Sequence, residues 1–325
     1  MTLQLGLGFS GADDQDMGDN ITVLDTTGVD WSRVRRSAYA IHQTITYEYE
    51  GPVRRLRQRL MVQPREQHGD QRRVARHVRV VDATPRRVRS SADDFGNHVV
   101  DIDVPYVADR VSFISWSVVE RHTGLPHLAA AASLVDPRLL EPTRLTAPDE
   151  ALCELAADLR RTCPLGEDLA VEACARVFSL MAYAANVTGV RTTAAEAFAQ
   201  RSGVCQDFAH VLLAITRCLG LPSRYVSGQM LGVGGSHAWV EVLVPTGDGH
   251  ARVLSLDPTH GRRTGMTYVT IAVGRDYAHV APLSGTYVAS HAGVLSISKR
   301  VTVMSIDSDG LTDVSSSAGE ERLAG

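Results

Sequence analysis

Residues 201–210 read RSGVCQDFAH, with a cysteine two residues behind a glycine where a helical pattern begins. Phe208, Leu212, Ile215 and Leu219 recur at helical spacing and mark one buried stripe. Gly220 and Pro222 then end it. A helix start near Ser202–Gly203 puts Cys205 in the first turn. There the positive end of the helix dipole favours a thiolate, the attacking form of cysteine. Free N–H groups at the same place can hold a developing oxyanion.

A base is found downstream. SHAWVEVLV and ARVLSLD flank the turn signal PTGDGH, which reads as a hairpin. Centred near Gly247, the pairing opposes Val244 to His250 and Leu243 to Ala251. Outward, it opposes Glu241 to Val253, Trp239 to Ser255 and His237 to Asp257. Opposed residues share a face, with Cβ atoms roughly 4.5–5.5 Å apart. His237 opens its strand, and Pro258 closes the strand of Asp257. The chemistry that follows is nucleophilic. Cys205 attacks an acyl carbon, His237 takes the thiol proton and later protonates the leaving group, and Asp257 orients the imidazole.

Neighbouring residues take lesser roles. At about 100° per residue, His210 lies ~140° and ~7.5 Å from Cys205, and Cys218 is more than three turns away. Neither shares a small site with the thiol, which counts against zinc on this helix. A metal site on Cys205 and His237 is disfavoured too, because Asp257 reads as an orienting residue. Asp207 suits the helix dipole, and with His210 it is read as supporting the nucleophile. Gln206, Tyr225 and Trp239 are the candidates for oxyanion or substrate contacts. Trp239 and Glu241 share the face of His237.

The elements that must position these residues form an α+β chain. Period-2 runs such as SAYAIHQTITYEYE, QRRVARHVRVV and RVSFISWSVVE, separated by PREQHGD and DDFGN, predict an antiparallel β-sandwich over residues 31–122. Residues 123–147 read as a Pro-rich connection with one short helix. Helical period follows. Thr146–Asp149 is a candidate cap for a helix carrying Leu152, Leu155 and Leu159, and Thr193–Glu196 is a second capping box. A further helix runs through EDLAVEACARVFSLMAYAA, and strands return after Gly220. Residues 148–285 form the catalytic domain and 286–306 a late strand that could return to the sandwich. Residues 1–30 and 307–325 read as disordered tails.

With 325 residues, 44% apolar, 22% charged and a net charge of −4, the composition suits a soluble protein of about two domains and gives no reason to expect nucleic acid. Fifteen arginines face five acidic residues over 33–90, which reads as strands with solvated Arg edges. Cys153, Cys163, Cys174, Cys205 and Cys218 contain no CxxC pair and suit a reducing compartment. The first residues lack a basic signal-peptide region, and no apolar run approaches the ~18 residues of a membrane span. The expectation is a cytoplasmic protein with no membrane partner; the oligomeric state stays open.

GVCQDFAHVLLAITRCLGLPSRYVSG, SHAWVEV and LDPTHG closely resemble the core of bacterial transglutaminase-like proteins, in the papain-like cysteine peptidase clan. The resemblance runs over about residues 148–285, and residues 36–120, with DDFGN, resemble the β-rich region that often precedes that core. It implies a papain/transglutaminase-like fold of helices on an antiparallel sheet, and a Cys–His–Asp triad on Cys205, His237 and Asp257. It further implies a thioester intermediate, no cofactor and no metal, and a peptide or protein substrate. Water or an amine resolves the thioester, making a hydrolase or an acyltransferase. Two positions depart from the family: His279 stands where an acidic residue is expected, and Tyr183 where a tryptophan is. The alternative is a binding or scaffold protein that keeps the fold without activity.

Overall fold

Alternating residues become strands wherever turn residues punctuate them, and the first half of the chain is built this way. The structure, a computed structural model, describes residues 24–308. It begins with β1 (Val34–Tyr49), β2 (Val53–Leu60), β3 (Gln67–His68) and β4 (Gln71–Val81). β5 (Arg87–Ala92), β6 (His98–Val107) and β7 (Arg110–His122) follow. The expected tails fall outside the described residues except for 24–30 and 307–308. In that first stretch the Leu24 N–H donates to the Val303 carbonyl at 3.2 Å.

The connection 123–147 is not free chain. β8 (Leu128–Ala130) pairs with the core sheet, and α1 (Pro137–Leu140) follows behind an Asp136 cap. Next come α2 (Glu150–Thr162), α3 (Glu167–Leu180), β9 (Ala182–Tyr183), α4 (Ala194–Gln200), β10 (Ser202–Gly203) and α5 (Cys205–Cys218). Asp149 alone caps α2, accepting from the Leu152 N–H at 3.0 Å, so Thr146 is not the cap. The Thr193–Glu196 capping box forms at the head of α4.

The core sheet holds β11 (Ser223–Met230), β12 (His237–Pro245), β13 (His250–Asp257), β14 (Arg262–Arg263) and β15 (Tyr268–Gly274) in the order β14-β13-β12-β11-β15. β8 joins β13 at the other end of the edge that β14 covers. α5 is more deeply placed than a single stripe implies: every residue from Gln206 to Arg217 is buried. It lies between α2, α3 and α4 and the sheet, so its polar residues need internal partners. The Thr216 hydroxyl donates to the Leu212 carbonyl, and Arg217 donates to Thr146 and to the Arg275 carbonyl.

The hairpin register differs from the expected one by two residues. Val240 pairs with Leu256, Glu241 with Ser255 and Val244 with Arg252. The loop is centred on Asp248, flanked by Gly247 and Gly249 at φ of 82° and 84°, which only glycine adopts freely. Asp248 Oδ1 accepts from the Thr246 hydroxyl and the His250 N–H. An even shift keeps every side chain on its face. His237 is therefore diagonal to Asp257 rather than opposite it, still within reach.

The chain closes by returning to its start. β16 (Leu283–Val288) pairs with β2, and β17 (Gly293–Ser308) runs antiparallel to the whole of β1. The sandwich sheets are thus β17-β1-β7-β4-β3 and β16-β2-β6-β5, around Ile45, Val53, Leu56, Leu60, Ile102 and Phe113. Sandwich and core meet at the free edge of β15. Gln71 donates to and accepts from the Thr270 backbone at 2.8 and 2.9 Å, and Asn97 does the same at Val273 at 2.7 and 2.8 Å. These two amides do the work of a neighbouring strand on an otherwise open edge. The bulge between Ser227 and Gly228 in the β11–β15 pairing shifts parity, which lets Thr270 and Val273 both face outward.

Candidate active site

Cys205 is the first residue of α5, following Val204 in extended conformation. Asp207, two residues on, folds back to accept from the Val204 N–H at 2.8 Å and the Thr188 hydroxyl at 2.6 Å. Any Cβ on Gly203 would lie 2.5 Å from that carboxylate, which explains the glycine behind the cysteine. Burial holds the Asp207 carboxyl above its usual range, against the pull of Thr188 and Val204. β10 is pinned by parallel pairing with β9, and Ala184 donates to the Gly203 carbonyl at 2.9 Å. The Asp207 and Phe208 N–H groups bond the Val204 carbonyl. Those of Cys205 and Gln206 have no intrahelical acceptor, as at any helix start. The thiol itself is half-buried.

His237 Nε2 lies 2.8 Å from Asp257 Oδ2, with the carboxylate fully buried. Burial works against a charged ring, but its hydrogen bond to Asp257, then that with Cys205, and both charges raise the imidazole to about 9. Asp257 moves the other way. Burial would raise it, yet the His237 hydrogen bond and charge, then Tyr268 and His260, bring it down to about 2. An ionised carboxylate only accepts, so each neighbour must donate. The Tyr268 hydroxyl donates to Oδ2 at 2.8 Å, His260 Nδ1 to Oδ2 at 2.8 Å, and the Thr259 N–H to Oδ1 at 2.9 Å. With Nε2 engaged by Asp257, Nδ1 is the ring atom left for the thiol.

The structure brings the three expected groups together and redistributes the supporting ones. Gln206 turns its amide to the Gly189 carbonyl at 3.4 Å and so anchors the preceding loop instead of facing an oxyanion. Trp239 is only 1% exposed, 6.2 Å from the His237 ring and 5.4 Å from that of Tyr268. It is a wall behind the histidine with no surface to offer a substrate. Tyr225 is buried, and burial, then the charge of Cys205, pushes its hydroxyl well up. His210 is buried against Tyr225 and accepts from the Tyr277 N–H at 3.2 Å. Burial brings it down to about 4, leaving a neutral ring that ties α5 to the turn after β15. His279, the family departure, pairs with Asp276 at 2.9 Å. Sequence reasoning missed His260 and Tyr268. His260 was legible, because the third residue after an Asp-Pro turn returns to the aspartate; Tyr268 arrives from another strand and left no local signal.

Two groups of described residues bring three metal-type ligand atoms within 4.8 Å: His237, Asp257 and His260, and separately His68, His127 and Glu241. Asp257 in the first is already engaged by four donors. In the second, Glu241 is buried, with His68 Nε2 2.7 Å from Oε1 and Arg224 Nε 2.7 Å from Oε2. Both carboxylates are thus committed to protein donors.

A family model described as the transglutaminase-like superfamily matches residues 154–253, and one for the bacterial transglutaminase-like N-terminal region matches residues 39–120. An uncharacterized protein of Mycobacterium tuberculosis is 29% identical over 308 residues, covering 84% of this chain and 94% of that protein. One from Mycobacterium leprae is 29% identical over 282 residues, covering 81% and 97%. A solved structure described as a candidate cysteine protease from Cytophaga hutchinsonii superposes with a TM-score of 0.66 at 20% identity, over 84% of this chain and 92% of that one. At that identity the likeness is one of fold.

Proposed function

We propose that this chain, which matches the transglutaminase-like superfamily over residues 154–253 and the bacterial transglutaminase-like N-terminal region over residues 39–120, is a cysteine-dependent enzyme acting on peptide or side-chain amides. The observation that carries the proposal is the His237 ring, held through Nε2 by Asp257 at 2.8 Å and influenced on its other side by Cys205 at the head of α5.

Cys205 first passes its thiol proton to His237 Nδ1. Cys205 Sγ attacks the amide carbon, and the carbonyl oxygen becomes an oxyanion. The Cys205 N–H and the Tyr225 hydroxyl are its donors. His237 Nδ1–H then protonates the departing amine, the C–N bond breaks, and a thioester remains. Water attacks the thioester, giving its proton back to Nδ1, and the thiolate leaves. An amine entering instead of water makes a new amide by the same sequence. Hydrolysis is the favoured outcome, because water is the default acceptor at a half-exposed thiol. Asp257 keeps Nε2 protonated throughout, and its own donors keep it from taking that proton.

The test is labelling of the folded chain with iodoacetamide, followed by mapping of the adduct, and a screen of peptide and glutamine amides. Cys205 should label far faster than Cys218, and Cys205→Ala should abolish any turnover found. Equal labelling of the two thiols sinks the proposal.

A further inference from the structure

We propose that Cys153 and Cys218 are a reversible disulfide site that clips α2 to the far end of the nucleophile's helix. Their sulfurs lie 3.9 Å apart, Cys153 exposed and Cys218 half-buried. A disulfide needs about 2.05 Å, so each sulfur has roughly 1 Å to travel. The helices already hold this register by other means. Arg160, about two turns along α2 from Cys153, donates to the Cys218 and Leu219 carbonyls. Between them Ala156 and Leu159 are buried in the core shared with α5. The end of α5 is itself fixed, with Gly220 donating to the Arg217 carbonyl and Leu221 to that of Thr216.

The pair is separate from the proposed catalytic thiol. Thirteen helical residues put Cys205 roughly 20 Å away along α5. The proposal therefore stands whether or not the chain is an enzyme. Burial, then Cys153, pushes the Cys218 thiol up to about 11, so exposed Cys153 is the sulfur that meets an oxidant first. The oxidant is a small-molecule disulfide such as glutathione disulfide. The Cys153 thiolate attacks one of its sulfurs, forming a mixed disulfide and expelling one glutathione thiolate. Cys218, as thiolate, then attacks the Cys153 sulfur and expels the second. Two protein thiols give up two electrons and two protons, and two glutathione thiols carry them away.

The experiment uses the full chain with Cys205→Ser, so that the reactive thiol does not consume reagent. It is incubated with glutathione disulfide, denatured in N-ethylmaleimide, and read by intact mass and a non-reducing peptide map. The expected result is a fall from four alkylated thiols to two, with one peptide pair joined through Cys153 and Cys218. Dithiothreitol should restore all four. Closing a loop of roughly 65 residues should raise the thermal midpoint by several degrees. Adding Cys163→Ser should leave the cross-link intact, and adding Cys153→Ser should abolish it. Four persistent thiols, stable mixed disulfides only, or a cross-link between other cysteines would overturn the proposal.

Discussion

β12 carries two histidine–carboxylate pairs within five residues, and their carboxylates are compensated by different partners. At its first residue His237 meets Asp257 at 2.8 Å; four residues on, Glu241 meets His68 at 2.7 Å. Both carboxylates are buried and ionised, and the indole of Trp239 stands between them. Counter-charge makes the difference. Glu241 also binds Arg224, and burial, opposed by Glu241, takes neighbouring His127 down to about 4. Among the described residues no arginine pairs with Asp257, which is held instead by His237, His260, the Tyr268 hydroxyl and the Thr259 N–H.

The strongest way to break this comparison is to remove each histidine. His237→Ala should lower kcat/KM by about 10⁴ with little change in thermal midpoint, whereas His68→Ala should leave kcat/KM within a few-fold. A steady-state assay beside a melting curve separates them. Asp257→Asn comes next, lowering kcat by about 10²–10⁴ while the chain stays folded. It also removes what raises His237. In the native chain the basic limb of the rate profile should sit near pH 9, and in the variant it should move toward the ordinary histidine value. Stability has the matching sign. The contribution of raised His237 is full below about pH 6.5 and lost as pH climbs through about 9. That of lowered Asp257 is present above about pH 3.8 and lost as pH falls through about 2.

Glu241→Gln inverts the pattern. It leaves Arg224 without its counter-charge and should cost about 3–5 kcal/mol in denaturant unfolding, as for other broken buried pairs. The rate of the folded fraction should hardly move. The smallest effects belong to His260→Ala and Tyr268→Phe, each removing one of several donors to Asp257. Each should change kcat by a few-fold and raise the basic limb slightly, because more of the Asp257 charge is left to His237, at about 1 kcal/mol per hydrogen bond. A large loss from His260→Ala would instead put that ring in contact with substrate.

The positions of Cys205, His237 and Asp257 were legible because helix phase and strand parity are local properties of the chain. Parity absorbed the error in hairpin register: a shift of two residues moved His237 off Asp257's direct opposite without turning either away. What stayed hidden came from distant segments. Nothing near Glu241 announces Arg224 or His68, and nothing near Gln206 announces the Gly189 carbonyl that takes its amide. The burial of α5 was understated because Ala209, Val211 and Leu213 lie outside the apparent stripe and become core only when α2, α3 and α4 surround them.

The pairing of β1 with β17 also sets an order of events during synthesis. β1 emerges first and finds β7 after some sixty residues, but its other edge waits for a strand made more than 240 residues later. Until then a long ladder of unpaired N–H and C=O groups is open to other nascent chains. A chain stopped after β15 would carry Cys205, His237 and Asp257 yet leave that edge bare. Its first failure would be aggregation rather than lost chemistry.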